Sequence, residues 1–572
     1  MREVGQNTLD VRVATTVELA FRVIQLDGEE LADFLDALRW ESTLRPHIAA
    51  AAESGQKLGR SLEEGLRRLQ DTGSLTLLRV EERGALGLVG EEFGSGTNFV
   101  GLCRNNLDSA KQTTSAGGAF GLGKAVLWRT SLLSTVLFNS DIDSEDFPEK
   151  DDRLIGRTEL SWHEVNGSAY AGPGWFGDEQ EGTAVSVWGD TELARRLCLE
   201  RPNATGTSIL IPAFHDPADD VEPSPAILAE RLAEGVARNF WPAIESGLLK
   251  AVVETASGRE DGSVGLRMVV DPEMGEPEFV AALRAHKANV IVDELNVEGE
   301  VARVSVPLEV PRRRDGRRDA IQHEATVLIR RASQDGAGLG SCVYFRGTEM
   351  IVERQNLRSV RVGAMPFHAV VLCGEAASDD VEATAAEEFL RIAEPPAHNS
   401  WELTPDLKFT YVPGGGTAIK NFFAAVRNAV RDAVGPATED LSDGPRKLKE
   451  LFRMTVPTDP KPQRPEIAAA SGRVDGDGAW VVEGRLRVHS NDTGWRGRPV
   501  VVFDAETGSG SRVKWSTLEG VKNCAADGDH LVIPALVKDV RFRGVTDPAS
   551  HPVPAAASAI SLDFRDAEVS NA

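Results

Sequence analysis

Gly117, Gly118, Gly121 and Gly123, followed by Lys124 in the string GGAFGLGK, are the residues whose types and spacing best suit chemistry. Glycines let backbone N–H groups approach phosphate oxygens, and a helix N-terminus with a lysine adds positive potential. Lys111, six residues ahead of the string, is a second cation within reach of a phosphate; a surface lysine explains it equally. Read as a P-loop, Gly118 to Ala125 fits GxxxxGK, but Ala125 stands where Ser or Thr would ligate magnesium. The preceding LDSAKQTTSA is also polar, where a P-loop leaves a buried strand. A glycine loop that merely connects two elements is the bland alternative.

Two more strings stand in order around this one. Glu82, Gly84 and Gly87 end the apolar run LLRVEERGALGLVG at 77–90, and Gly206 with Thr207 opens GTSILIP at 206–212. The three together resemble the ordered motifs of the GHKL ATPases, the superfamily of the MutL proteins, the gyrase ATPase subunit, the ninety-kilodalton heat-shock chaperones and the MORC proteins. The resemblance implies that Glu82 reads the adenine amino group while Gly84 and Gly87 shape its turn. Gly117, Gly118, Gly121, Gly123 and Lys124 would then form a lid over the phosphates, and Gly206 and Thr207 would complete the pocket. Glu82 is one methylene longer than the usual aspartate, and the turn reads ExGxxG rather than DxGxG.

The family's first motif, ExxxN on an early helix, supplies a water-activating glutamate and a magnesium-binding asparagine. Between Thr8 and Thr97 the chain has no asparagine, so that window leaves the metal ligand unknown. It offers Glu41 and Glu53 as catalytic carboxylates, each equally a solvated helix residue. The resemblance implies ATP and Mg2+ as cofactors, and a nucleotide-gated clamp that forms a homodimer on ATP binding. It further implies a slow ATPase acting with partner proteins of a restriction-modification or phage-defence system against foreign DNA. A non-hydrolysing, nucleotide-sensing scaffold that recruits an effector and a P-loop NTPase are the alternatives.

These residues need elements to hold them. Residues 11–25 read as strand, Gly28 to Glu53 and Ser61 to Leu69 as helix, Leu75 to Val80 as buried strand and Ala226 to Leu249 as a long helix. The fold class predicted is an α+β sandwich of the GHKL ATP-binding type, a second, transducer-like α/β domain and a C-terminal all-β domain. The boundaries are 1–260, 261–435, a helix and Pro-rich linker at 436–466, and a sandwich-like domain at 467–572. The segment YFRGTEMIVE at 344–353 is similar to a transducer strand pair.

Composition constrains partners. The 572 residues include 88 acidic and 63 basic ones, a formal charge of −25, which argues against a protein that coats nucleic acid. Any DNA contact must be local, and Arg312, Arg313, Arg314, Arg317 and Arg318 around an Asp-Gly turn are the candidate tip; a solvated turn is the plainer reading. Cys103, Cys198, Cys342, Cys373 and Cys524 show no metal-ligand spacing, which with the absence of an apolar leader or span predicts a cytoplasmic protein and no membrane. In AEPPAHNSW, Glu394 and His398 are a candidate acid–base pair with no identifiable third member, and Trp401 is an anchor.

Overall fold

Alternation along the strands decides the first sheet. In β1 (Val17–Asp27), Val17, Leu19, Phe21 and Val23 enter one core while Ile24 and Leu26 enter another. In β2 (Ser74–Arg83), Leu78 and Val80 join the first core and Leu75 and Leu77 the second. The computed structural model describes residues 1–54, 57–94, 96–105, 124–142, 152–201, 204–217, 223–259, 264–333, 336, 338–357, 365–395, 397–434, 465–488, 494–504, 511–552, 555 and 559–570.

Seven further strands complete the described sheet: β3 (Thr135–Asp141), β4 (Arg153–Glu159), β5 (Pro173–Phe176), β6 (Val187–Trp188), β7 (Gly206–Pro212), β8 (Leu249–Ser257) and β9 (Val264–Val269). Their order is β6-β4-β3-β7-β2-β1-β8-β9, with β5 also on β4. β1 and β8 run parallel, and the other described pairs are antiparallel. Helices cover both faces. Helix α1 (Arg2–Asp10) and the long α7 (Pro225–Glu245) pack on the Phe21–Val80 face; α2 (Gly28–Ala37), α3 (Arg45–Ala52), α4 (Lys57–Thr72) and α6 (Thr191–Arg196) pack on the Ile24–Leu77 face. The short α5 (Ala125–Arg129) places Leu127 and Trp128 on the α1 side.

The helix expected from Gly28 to Glu53 is interrupted. Arg39 adopts a left-handed φ of 55°, a π-helical turn follows at Trp40–Leu44, and Pro46 begins α3. The first sheet also runs on to Val269, past the boundary expected at 260. A second sheet, β10 (Val301–Val310), β11 (Ile321–Arg331), β12 (Ser341–Phe345), β13 (Ile351–Asn356) and β14 (Phe367–Leu372), has the order β10-β11-β14-β12-β13. Helix α8 (Pro277–Lys287) packs on one face, and α9 (Val381–Ala393) and α10 (Gly415–Val434) on the other. Trp241 of α7 stacks on Phe279 and meets Phe345 edge-on, which ties the two sheets together. Both belong to one compact unit, Met1–Glu439.

The other unit, Asp440–Ala572, is a two-sheet β structure with its own core. One sheet runs Glu466–Val474, Trp480–Arg487, Asp539–Thr546, Trp515–Lys522; the other runs Ser511–Val513, Gly494–Asp504, His530–Ile533, Ala525–Asp527, with Ala559–Ser570 also on Gly494–Asp504. Leu486, Val540 and Phe542 of the first sheet meet Trp495, Leu531 and Ile533 of the second. The helix expected near Arg446 and the proline-rich stretch 456–464 lie outside the described residues. All five cysteines are free. No described helix is long and apolar enough to cross a membrane.

Candidate functional site

Side-chain alternation puts Glu82 on the same face of β2 as Leu78 and Val80, beneath α1. Its carboxylate meets Thr8 of α1, whose Oγ1 lies 2.7 Å from Glu82 Oε2 and 2.9 Å from the Val4 carbonyl oxygen. On the other side stands Thr207 of β7, whose hydroxyl and backbone N–H favour the ionised carboxylate. Burial raises the Glu82 pKa, against the opposing pull of Thr8, Thr207 and Arg201. A hydroxyl carries one proton. With Glu82 protonated it donates to Thr8 Oγ1, and Thr8 is free to donate to Val4; with Glu82 ionised Thr8 must choose.

The glycines act through backbone geometry. Gly206 has a φ of +140°, and a Cβ there would collide with the Glu82 carbonyl oxygen. Gly84 (φ +80°) donates its N–H to the Thr205 carbonyl at 2.9 Å and accepts from Val13 and Ala14. At Gly87 (φ +76°) a Cβ would stand 2.8 Å from the Asp141 carbonyl oxygen. Arg201 ties these segments together, donating to Ser208 Oγ (2.9 Å), the Glu82 carbonyl (3.1 Å) and the Ala204 carbonyl (3.0 Å). The structure thus brings together Glu82, Gly84, Gly87, Gly206 and Thr207.

Lys124 is also on this side of the sheet but is engaged by the protein. Its ammonium is buried and donates to the carbonyls of Gly101 (2.8 Å) and Asn105 (3.0 Å). Burial, with Arg157 nearby, lowers its pKa to about 8. Arg157 Nη1 joins it, donating to the Cys103 (3.1 Å) and Asn105 (2.7 Å) carbonyls. The C-terminal carbonyls of the π-helical turn Val100–Arg104 are therefore caged by cations, as a helix C-terminus favours. Lys111, Gly117, Gly118, Gly121 and Gly123 lie outside the described residues.

Glu41 and Glu53 are not brought to the site. Both are exposed, Glu41 pairs with Arg45 at 2.7 Å, and Glu53 caps α3 in the helical layer on the opposite face of the sheet from Glu82. The element beside Glu82 is α1, whose sequence Glu3-Val4-Gly5-Gln6-Asn7 places a glutamate and an asparagine one turn apart. That ExxxN spacing lies upstream of the window from Thr8 to Thr97 and is the signal that finds the pair. Burial raises the Glu3 pKa, opposed by the charge of His398 and by the Asn7 amide. Helix α1 is seated by Val4 and Leu9 in the core and by Gly5, where any Cβ would strike the Phe240 ring of α7. The described residues contain no group of three or more His, Cys, Asp or Glu side chains suited to a metal ion. Asn7 and Glu3 are instead oxygen donors of the kind magnesium takes a few at a time.

Two cavities open elsewhere on this unit. One, of about 500 Å³, lies on the far face of β1, β2 and β8 among Arg22, Arg79, Glu81 and Glu254; the other, of about 280 Å³, is lined by His47, His163 and Tyr170. The arginine tip is largely occupied. Arg313 and Arg318 pair with Glu388, and Arg314 donates to the Tyr411 carbonyl at 2.8 Å. Arg312 and Arg317 are exposed. No protein-family model matches the sequence, and no curated protein matches it at a significant level.

Proposed function

We propose that the unit Met1–Glu439 binds ATP with Mg2+ on the α1 side of its first sheet and hydrolyses it slowly, as the resemblance to the GHKL ATPases implies. The observation that carries this reading is the juxtaposition of Thr8, Glu82 and Thr207, from three segments widely separated in sequence, on the face where α1 presents Glu3 and Asn7. A buried carboxyl flanked by two hydroxyls and a backbone N–H is a fixed acceptor–donor set, matched to the amino-pyrimidine edge of adenine. Under this reading Glu3, whose pKa burial raises, is the general base, and Asn7 offers its amide oxygen to the metal. ATP-dependent dimerisation and work with partner proteins in defence against foreign DNA belong to the same proposal and rest on the resemblance alone. Any DNA contact at the arginine tip falls to Arg312 and Arg317.

The test is equilibrium binding of an adenine nucleotide to the full chain. Glu82→Ala is expected to weaken binding at least tenfold. Unchanged affinity would overturn the assignment, and is the outcome expected of a P-loop, whose binding does not involve Glu82.

A further inference from the structure

Helix α1 is held from two sides, and one of them is the second sheet's layer. Arg2 donates to the backbone carbonyl of His398 and to Asn239 of α7. Gln6 Nε2 lies 3.1 Å from His398 Nδ1. The same nitrogen lies 2.9 Å from Glu394 Oε2; carrying a proton it donates to that carboxylate, and the Gln6 amide then meets the N–H with its oxygen, which has no other partner among the described residues. Glu394, directly after α9, has no exposed side-chain surface and also accepts from Arg346 Nε (2.6 Å), Arg346 Nη2 (3.1 Å) and Trp401 Nε1 (3.3 Å). Arg346, at the end of β12, reaches Glu387 of α9 at 2.6 Å as well. Burial alone would raise the Glu394 pKa; Arg346 and His398 outweigh it and hold the carboxyl below its ordinary value. A buried carboxylate of this kind depends on every partner it has.

The loop is shaped for this contact. His398 holds a left-handed φ of 49°, a conformation unfavourable for a residue other than glycine, and its N–H closes a turn onto the Pro395 carbonyl at 2.8 Å. The strained residue points its ring at Glu394 and Gln6 and its carbonyl at Arg2. Gln6 and Arg2 flank Glu3 and Asn7 on the helix, and His398 acts electrostatically on Glu3.

We propose that His398 is a positioning residue for Glu3 and Asn7. It anchors the flank of α1 to the Arg346–Glu394 pair, so that turnover depends on how the second sheet is seated. This deepens the ATPase reading and rests on it for the catalytic half. Asparagine at 398 can present its amide N–H near the place of Nδ1 and tolerates the left-handed backbone; alanine does neither.

The test compares His398→Ala, His398→Asn and Gln6→Ala in the full chain by two measurements. In nucleotide-free protein, amide hydrogen exchange over residues 2–10 is expected to accelerate at least tenfold in His398→Ala and Gln6→Ala and to return near wild type in His398→Asn. With ATP, kcat is expected to fall at least tenfold in His398→Ala while nucleotide affinity stays within threefold, and His398→Asn is expected to restore most of the rate. Unchanged exchange in both alanine variants overturns the positioning role, even where Glu82→Ala still abolishes binding. Loss of affinity in step with rate, unrescued by asparagine, overturns it too. A wild-type chain that neither binds nor hydrolyses ATP overturns the function and the catalytic half, and the exchange result then decides the anchoring alone.

Discussion

The roles proposed for Glu3 and Asn7 differ in a way that substitution can separate. Glu3→Gln keeps the shape but removes the carboxylate proposed as the base, so kcat is expected to fall at least a hundredfold, within the usual contribution of a general base, with binding kept. Asn7→Ala is expected to lower both affinity and the response to magnesium, read by nucleotide binding with and without the metal. Lys124 makes a prediction of pH. Its folded pKa of about 8 lies below the ordinary lysine value near 10.4, so between these limits the unfolded chain binds more protons. Stability relative to Lys124→Met is therefore expected to rise with pH from about 8 to 10, by up to about 3 kcal/mol, in denaturant titrations of both proteins. Glu82, Gly206 and Thr207 were legible in the sequence because each sits in a short glycine-marked string. Glu3 and Asn7 also carry a legible ExxxN spacing, but ahead of the asparagine-free stretch from Thr8 to Thr97 that contains the longer helical periodicities. The partnership of His398 with Gln6 was not legible, since residues 392 positions apart share no local spacing.

At the scale of elements, α1 is the helix on which the site depends, and its seat is narrow. Gly5 lies against Phe240, so Gly5→Val is expected to destabilise the unit by about 1–3 kcal/mol through overpacking and to impair nucleotide binding, seen as a lower denaturant midpoint. Strand periodicity made β1 and β2 readable, because half-buried strands alternate and each face found its own core. The stretch 28–53 misled for a physical reason. Its apolar spacing is helical throughout, but Arg39 takes the left-handed conformation and Pro46 restarts the chain, so tertiary packing divides one periodic run into two helices and a π turn. The helical layer these form lies across the sheet from Glu82, which sets Glu41 and Glu53 apart from it.

Across the whole molecule, the net charge of −25 leaves few places for an acidic ligand, and internal pairing uses most of the arginine tip. Any DNA binding there is expected to show a shallow salt dependence, with a log–log slope near 2 at most, because Arg313 and Arg318 pair with Glu388 and exposed Arg314 donates to the Lys408 and Tyr411 carbonyls, which leaves Arg312 and, 3.8 Å from Asp315, Arg317. Reversing both charges is expected to abolish that slope; a slope of 5 or more in wild type would place the DNA contact elsewhere. The division into units at Glu439 keeps the β-rich part separate from the ATP-site reading, so the two can be studied by different assays. The seating of α1 has a consequence for biosynthesis. Residues 2–10 are made before their partners Phe240, Asn239 and His398, which come up to 396 positions later. At ordinary translation rates that interval is roughly 20–80 s. The helix carrying Glu3 and Asn7 is thus made long before the residues that seat it, and a ribosome-bound fragment that stops short of His398 carries both residues without the contacts to Arg2 and Gln6.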